Sequence, residues 1–131
     1  MASPLVTVIL FAHAPYAKFL RSSLESILNQ SYQSLEVLIL GDGSTGVRES
    51  VERFKGDGRV SLRPQTRPYF LETANELMTQ SRGQYLGTWN SDDIYNEKHV
   101  ELLVQAMEND PEIGGAFDNT EYFRESKDGE I

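Results

Sequence analysis

Short runs of β-branched and aliphatic residues alternate along this chain with longer stretches whose apolar residues recur every three or four positions. Val6-Thr7-Val8-Ile9-Leu10-Phe11 is the densest run and has the composition of a strand covered on both faces. Pro15 is predicted to open a helix, where its missing N–H costs nothing. In that helix Tyr16, Leu20, Leu24, Ile27 and Leu28 fall at helical spacing, with Lys18, Arg21 and Glu25 opposite. Residues 37–40 form a second buried strand, followed by the turn Gly41-Asp42-Gly43-Ser44. Val47, Val51 and Phe54 mark a second helix that ends at Gly56-Asp57-Gly58. Residues 60–63 give a third strand, and Pro64 and Pro68 bracket an irregular loop. Leu71, Ala74, Leu77 and Met78 mark a third helix, stopped near Gly83. Residues 85–89 form a fourth strand. Asn96 suits the cap of a helix carrying Val100, Leu103, Val104 and Met107, with Pro111 beyond it. Residues 113–117 are expected to form a further strand.

Strand and helix alternate throughout, which argues for a mostly parallel α/β sheet with helices on both faces. No internal repeat, linker or low-complexity tract interrupts the order. The polar end, Glu125-Ser126-Lys127-Asp128-Gly129-Glu130-Ile131, contains a turn signal after which a new strand is expected to begin.

Composition narrows the function classes. With 131 residues the chain amounts to one domain and one core. Hydrophobic content of 39% and charged content of 24% are ordinary for a globular protein. A net charge of −8 argues against a nucleic-acid surface, which needs a basic stripe. A phosphorylated ligand stays compatible with an acidic protein when a metal cation mediates the contact. The absence of cysteine excludes disulfides, thiolate zinc sites and cysteine nucleophiles. His13 and His99, the two histidines, are too few for a histidine-rich metal site. Residues 5–14 are apolar but short and lack a basic flank, so no signal peptide is expected. No run approaches the roughly 18 apolar residues of a membrane span. A cytoplasmic, soluble location is therefore expected, with membrane association only through parts outside this chain.

The candidate chemistry sits where strands end, the edge at which open α/β sheets bind ligands. Asp42 follows the second strand, and Asp92 and Asp93 follow the fourth. Such acids can hold a hard cation through oxygen or accept hydrogen bonds from ribose hydroxyls. Asn90-Ser91-Asp92-Asp93 also suits a helix cap, and Asp42-Gly43 an ordinary turn with Ser44 or Thr45 as cap. The repetition of the layout at two strand ends favours a site. His13 can stack on a base or stand in water. Arg63 and Arg67 flank the irregular loop, where they can meet phosphate or solvent. Tyr16, Phe54 and Tyr69 suit core or rim. A phosphoacceptor signalling domain also uses acids at strand ends. It needs them directly after its first strand and a lysine after its last, where this chain has Ala12-His13-Ala14 and Asn119-Thr120.

These stretches, taken in order, resemble family 2 glycosyltransferases. The likeness runs through residues 6–10, Leu24-Glu25-Ser26-Ile27-Leu28-Asn29-Gln30-Ser31-Tyr32 and residues 35–45. It continues in Ala74-Asn75, Arg82-Gly83-Gln84-Tyr85-Leu86 and Asn90-Ser91-Asp92-Asp93-Ile94-Tyr95. The resemblance implies a GT-A fold that grips a nucleoside-diphosphate sugar, a UDP-sugar foremost, with Mn²⁺ or Mg²⁺. It also implies transfer to a hydroxyl acceptor (glycan, lipid or protein) with inversion. It places Ala12 and His13 at the base, Asp42 at the nucleoside, Asp92 at ribose and diphosphate with a share in the metal, and Asp93 at the metal. The general base is implied in a second half, beyond Ile131. No catalytic residue is therefore expected here, and residues 1–131 are expected to be the donor-binding part of a longer domain, inactive alone. The alternative is a catalytically degenerate nucleotide-sugar-binding or scaffold module.

The chain departs from the family pattern at several points. Phe11-Ala12-His13-Ala14 stands where the family has Pro-Thr-Tyr-Asn. Gly41-Asp42 stands for an acid pair, and Asn90 for the first acid of the later motif. Arg67-Pro68 and Ala74 replace the family's Asn-x-Gly loop and arginine.

Overall fold

The computed structural model describes residues 3–122. Its strands are β1 (Val6–Ala12), β2 (Leu35–Gly41), β3 (Val60–Pro64) and β4 (Tyr85–Asn90). All pair in parallel, in the order β3-β2-β1-β4. The crossovers are α1 (Ala17–Leu28), α2 (Thr45–Glu52) and α3 (Phe70–Gln80), and α4 (His99–Asn109) follows β4. This is the α/β arrangement expected from the alternating pattern.

Hydrophobicity follows position in the sheet. β2 is buried at every residue and β1 at all but one, because both are flanked by strands and covered above and below. β3 and β4 are edge strands and mix partly covered with exposed residues, Trp89 of β4 alone being buried. Val6, Val8 and Leu10 face α1, α2 and α4 through Leu20, Leu24, Ile27, Val47, Val51, Val100 and Val104. On the other face Ile9, Leu38 and Leu40 pack on Ala74 and Leu77 of α3. Helices thus cover both faces, three on one side and one on the other.

Polar contacts at the start of the strands tie the layers together. Fully buried Thr7 donates its hydroxyl to Glu36 Oε1 at 2.9 Å and accepts the Gly83 N–H at 2.9 Å. Arg82 donates to Glu36 through its backbone N–H (3.0 Å) and through Nε (2.6 Å). A Cβ on Gly83 would sit 2.5 Å from the backbone nitrogen of Thr7, so only glycine passes there.

Three expectations change. Residues 113–117 carry no strand. Pro15 lies in a 3₁₀ turn (Ala14–Tyr16) that precedes α1 rather than in the helix itself. Asn96 does not cap α4, which begins three residues later; its Oδ1 instead accepts the Lys98 N–H at 3.0 Å, closing a turn before the helix. The strand expected after Asp128-Gly129 falls outside the described residues.

Candidate functional site

The chain runs from β1 out to β3 and then returns across the sheet to β4 on the other side of β1. In a doubly wound sheet that reversal opens a crevice at the carboxyl ends of the two strands. The register places all the candidate residues along this rim. Ala12 pairs with Gly41, so His13 and Asp42 leave neighbouring strands side by side, and Phe11 pairs with Asn90.

On the β2 side, Asp42 does two jobs. Its Oδ1 accepts the Ser44 N–H at 3.0 Å, the ordinary turn of an Asp-Gly dipeptide, and Gly43 supplies the positive φ of 81°. Ser44 caps α2 by accepting the Val47 N–H. The second oxygen, Oδ2, accepts the Ala14 N–H at 2.7 Å and so binds the β1 loop to the β2 loop. Burial pushes the Asp42 carboxyl upward. Hydrogen bonds from Ser44 and Ala14, with His13 beside it, outweigh that and hold it below the usual aspartate range. The His13 ring packs on Phe70, the first residue of α3, at 4.5 Å between centroids. Ala12 is fully buried among the residues of the core, so it offers a base no surface and serves to deliver the chain to His13.

On the β4 side, the Ser91 N–H donates to the Phe11 carbonyl at 3.2 Å and the Asp93 N–H to the Asn90 carbonyl at 3.3 Å. The Asn90 N–H donates to the Tyr95 hydroxyl, and the Tyr95 ring stacks on Trp89 at 4.0 Å. The loop is therefore folded back on its own strand, with Asp92 and Asp93 exposed at the bend. Although Asp93 is exposed, partial desolvation by the folded-back loop first, then the charge of Asp92, raises its carboxyl above the ordinary value, against a lowering hydrogen bond from Asn90.

Sequence reasoning missed the struts beneath this loop. Ser23 donates to the Asn90 carbonyl, and Ser26 Oγ accepts the Tyr95 N–H at 3.1 Å. Gln30 is almost wholly buried. Its amide nitrogen donates to the Asn96 carbonyl at 2.7 Å, and its amide oxygen accepts the Val100 N–H at 3.0 Å. The available signal was polar residues interleaved with Leu24, Ile27 and Leu28 on the inward side of α1, where a side chain must find partners.

The arrangement separates two functions. β1 lies between β2 and β4, so the ends of the strands that lead to Asp42 and to Asp92–Asp93 stand two strand spacings, about 10 Å, apart. Among the described residues no group of three or more His, Cys, Asp or Glu side chains could hold a metal. An aspartate pair thus follows the end of one strand and a hydrogen-bonding aspartate the end of the other. The pair still fits Mg²⁺ or Mn²⁺. It offers hard oxygen donors, its mutual repulsion would be relieved by a cation, and such ions commonly keep waters and take remaining ligands from phosphate.

Of the other candidates, Arg67 is committed to an ion pair with Glu76 on α3, and Arg63 donates to the Ser61 hydroxyl at 3.2 Å. Asp118 hydrogen-bonds Nδ1 of His99 and helps enclose a cavity of about 1200 Å³ beside β4, which Asp93, Trp89 and Tyr95 also line. No helix among the described residues is long and apolar enough to cross a membrane.

Known proteins share this architecture. A mannosyltransferase from Pyrobaculum calidifontis, solved in complex with GDP-Man and Mn²⁺, superposes with a TM-score of 0.75 at 21% identity. That match covers 87% of this chain and 35% of the other. S. aureus TarS 1–349 in complex with UDP-GlcNAc gives 0.69 at 19% identity, over 80% and 31% of the two chains. An uncharacterized glycosyltransferase of Rickettsia bellii is 31% identical over 108 residues, which is 82% of this chain and 15% of the relative. The fold is that of the GT-A glycosyltransferases, and this chain spans a minor part of the proteins it matches. The family profile described as glycosyl transferase family 2 matches residues 7–128, and the chain belongs to that family.

Proposed function

We propose that residues 1–131 are the donor-binding part of an inverting glycosyltransferase. It would take a nucleoside-diphosphate sugar, a UDP-sugar foremost, with Mn²⁺ or Mg²⁺, and serve transfer to a hydroxyl acceptor. The observation that carries the reading is the separation along one rim. A hydrogen-bonding aspartate beside an imidazole follows the ends of β1 and β2, and an aspartate pair follows the end of β4, two strand spacings (about 10 Å) across from β2. A nucleoside diphosphate needs that division, with an aromatic and polar end for the base and a cation-holding end for the pyrophosphate.

In this reading Asp42 fixes the β1 loop and accepts hydrogen bonds from the nucleoside, and His13 presents its ring to the base. Asp92 meets ribose and diphosphate and shares the metal with Asp93. When bound, a divalent cation supplies Lewis-acid stabilisation of the charge that develops on the departing diphosphate. Ser23, Ser26 and Gln30 keep the acid loop in place beforehand, so that little ordering remains to be done on binding. The general base that activates the acceptor is assigned to an acceptor-binding half outside residues 1–131. The GDP-Man and UDP-GlcNAc complexes of the two structural neighbours support the donor class.

A thermal-shift screen of nucleoside diphosphates and their sugars, with Mn²⁺ or Mg²⁺ and with EDTA, tests this. Stabilisation by the nucleotide that is larger with the cation than with EDTA is expected, following the logarithmic dependence on ligand over Kd. No shift with any nucleotide would remove the proposal.

Asn90 favours a second reading, since a neutral side chain stands where the family motif begins with an acid. That reading is a degenerate module that binds nucleotide-sugar without turnover. Sugar transfer or donor hydrolysis by the longer protein excludes it; tight donor binding without either establishes it.

A further inference from the structure

The nucleoside end contains one group with no role so far, the Phe70 ring. Phe70 opens α3 and packs partly buried against the core under that helix. It touches two rings of the β1 end, Phe11 at 5.5 Å and His13 at 4.5 Å between centroids, the latter at an interplanar angle of 38°. The start of α3 is itself held firmly. The Thr66 and Arg67 N–H groups both donate to the Thr73 hydroxyl, at 3.1 and 3.0 Å. Glu76 accepts from the Thr66 hydroxyl at 2.7 Å and from Arg67. His13 is therefore gripped at its backbone by the Ala14–Asp42 hydrogen bond and at its ring by Phe70.

We infer that Phe70 is a positioning residue for nucleobase recognition: it backs the His13 imidazole so that the opposite ring face is presented to the base. The inference rests on the donor-binding reading above. The physical reason is entropic. A lone imidazole on a loop samples several rotamers and loses that freedom when a base stacks on it. A ring already packed against a fixed phenyl group, here at a tilt of 38°, has lost much of it in the free protein. Phe70 acts through His13, and its effect is confined to ligands that carry a base.

The test compares UDP, GDP and inorganic pyrophosphate by calorimetry, all with Mn²⁺, on the wild-type chain, His13→Ala, Phe70→Leu and Phe70→Tyr. Phe70→Leu keeps an apolar side chain against the core cluster under α3 and removes the aromatic face. His13→Ala is expected to lower nucleoside-diphosphate affinity about ten-fold, the loss of one base stack. Phe70→Leu is expected to lower it about three- to five-fold and Phe70→Tyr to restore it, with pyrophosphate affinity unchanged throughout. The chain has two histidines, so the His13 ring protons are readily assigned by NMR. They should lie upfield in the wild type and move toward ordinary positions in Phe70→Leu. Equal losses for pyrophosphate and nucleotide, or unchanged nucleotide affinity in Phe70→Leu, would overturn the role of Phe70 and leave the donor site standing. A wild-type chain that binds pyrophosphate and neither nucleotide would overturn both.

Discussion

Oδ2 of Asp42 lies 2.7 Å from the backbone nitrogen of Ala14, so a side chain from the end of β2 holds the loop that leaves β1. Replacing Asp42 by Ala removes this tie and the hydrogen-bond acceptor assigned to the nucleoside. Nucleoside affinity measured in EDTA is expected to fall about ten-fold, the worth of a charge-assisted hydrogen bond. Equal affinities of wild type and Asp42→Ala in EDTA would show that Asp42 is only a turn residue.

Asp93 is expected to couple function to stability with opposite signs. Its folded pKa is raised, by burial and by Asp92, so ionised Asp93 weakens the fold above its unfolded pKa. Asp93→Asn should leave thermal stability unchanged or raise it by at most about 0.5 kcal/mol, since the exposed site is screened. The same change should abolish cation-dependent nucleotide binding. The sign also sets the pH profile. Cation affinity should decline on acidification from a pH above the ordinary aspartate value of 3.8. Titrating Mn²⁺ into the nucleotide-bound chain at several pH values measures this.

Gln30 lies under the acid loop with both ends of its amide bonded. Gln30→Ala leaves the Val100 N–H without its acceptor and takes one of two donors from the Asn96 carbonyl, which keeps the His99 N–H, and is expected to cost about 1–3 kcal/mol. Denaturant unfolding measures that cost. Mn²⁺-nucleotide affinity should fall in the folded variant, because the loop carrying Asp92 and Asp93 loses its support.

Far from the site, Glu36 provides a control. Burial raises its carboxyl, but the Arg82 backbone and side chain and the Thr7 hydroxyl together lower it below the ordinary 4.5. Its contribution to stability is therefore present above that value and lost as the pH falls through the depressed folded value. Glu36→Ala is expected to cost about 2 kcal/mol, because it leaves the buried Thr7 hydroxyl proton and the Arg82 N–H without an acceptor. Acid and urea unfolding of the variant should lack that increment, with nucleotide affinity unchanged.

Much of this architecture could be read from the residues alone. β1 and β2 announce themselves because a central parallel strand must be apolar on both faces, and Val6 to Phe11 and Val37 to Leu40 are. Asp42, Asp92 and Asp93 were legible because the strand ends locate the rim. What the pattern could not convey is how far apart the acids stand, since that depends on strand order. Asp42 and Asp93 sit on either side of β1, a fact absent from local spacing. Residues 113–117 misled because an apolar run does not by itself make a strand: β4 has an open edge, yet among the described residues no strand pairs with this run. Nor could His13 reveal its neighbour, because Phe70 is 57 positions away and meets it only through the packing of α3.

The most direct test of the donor site is calorimetric titration of UDP into the wild-type chain and Asp93→Asn, each with Mn²⁺ and with EDTA. Wild-type affinity should be at least about ten-fold higher with Mn²⁺ than with EDTA, a coupling of roughly 1.4 kcal/mol, and Asp93→Asn should show no such difference. Equal cation enhancement in both proteins would contradict the account.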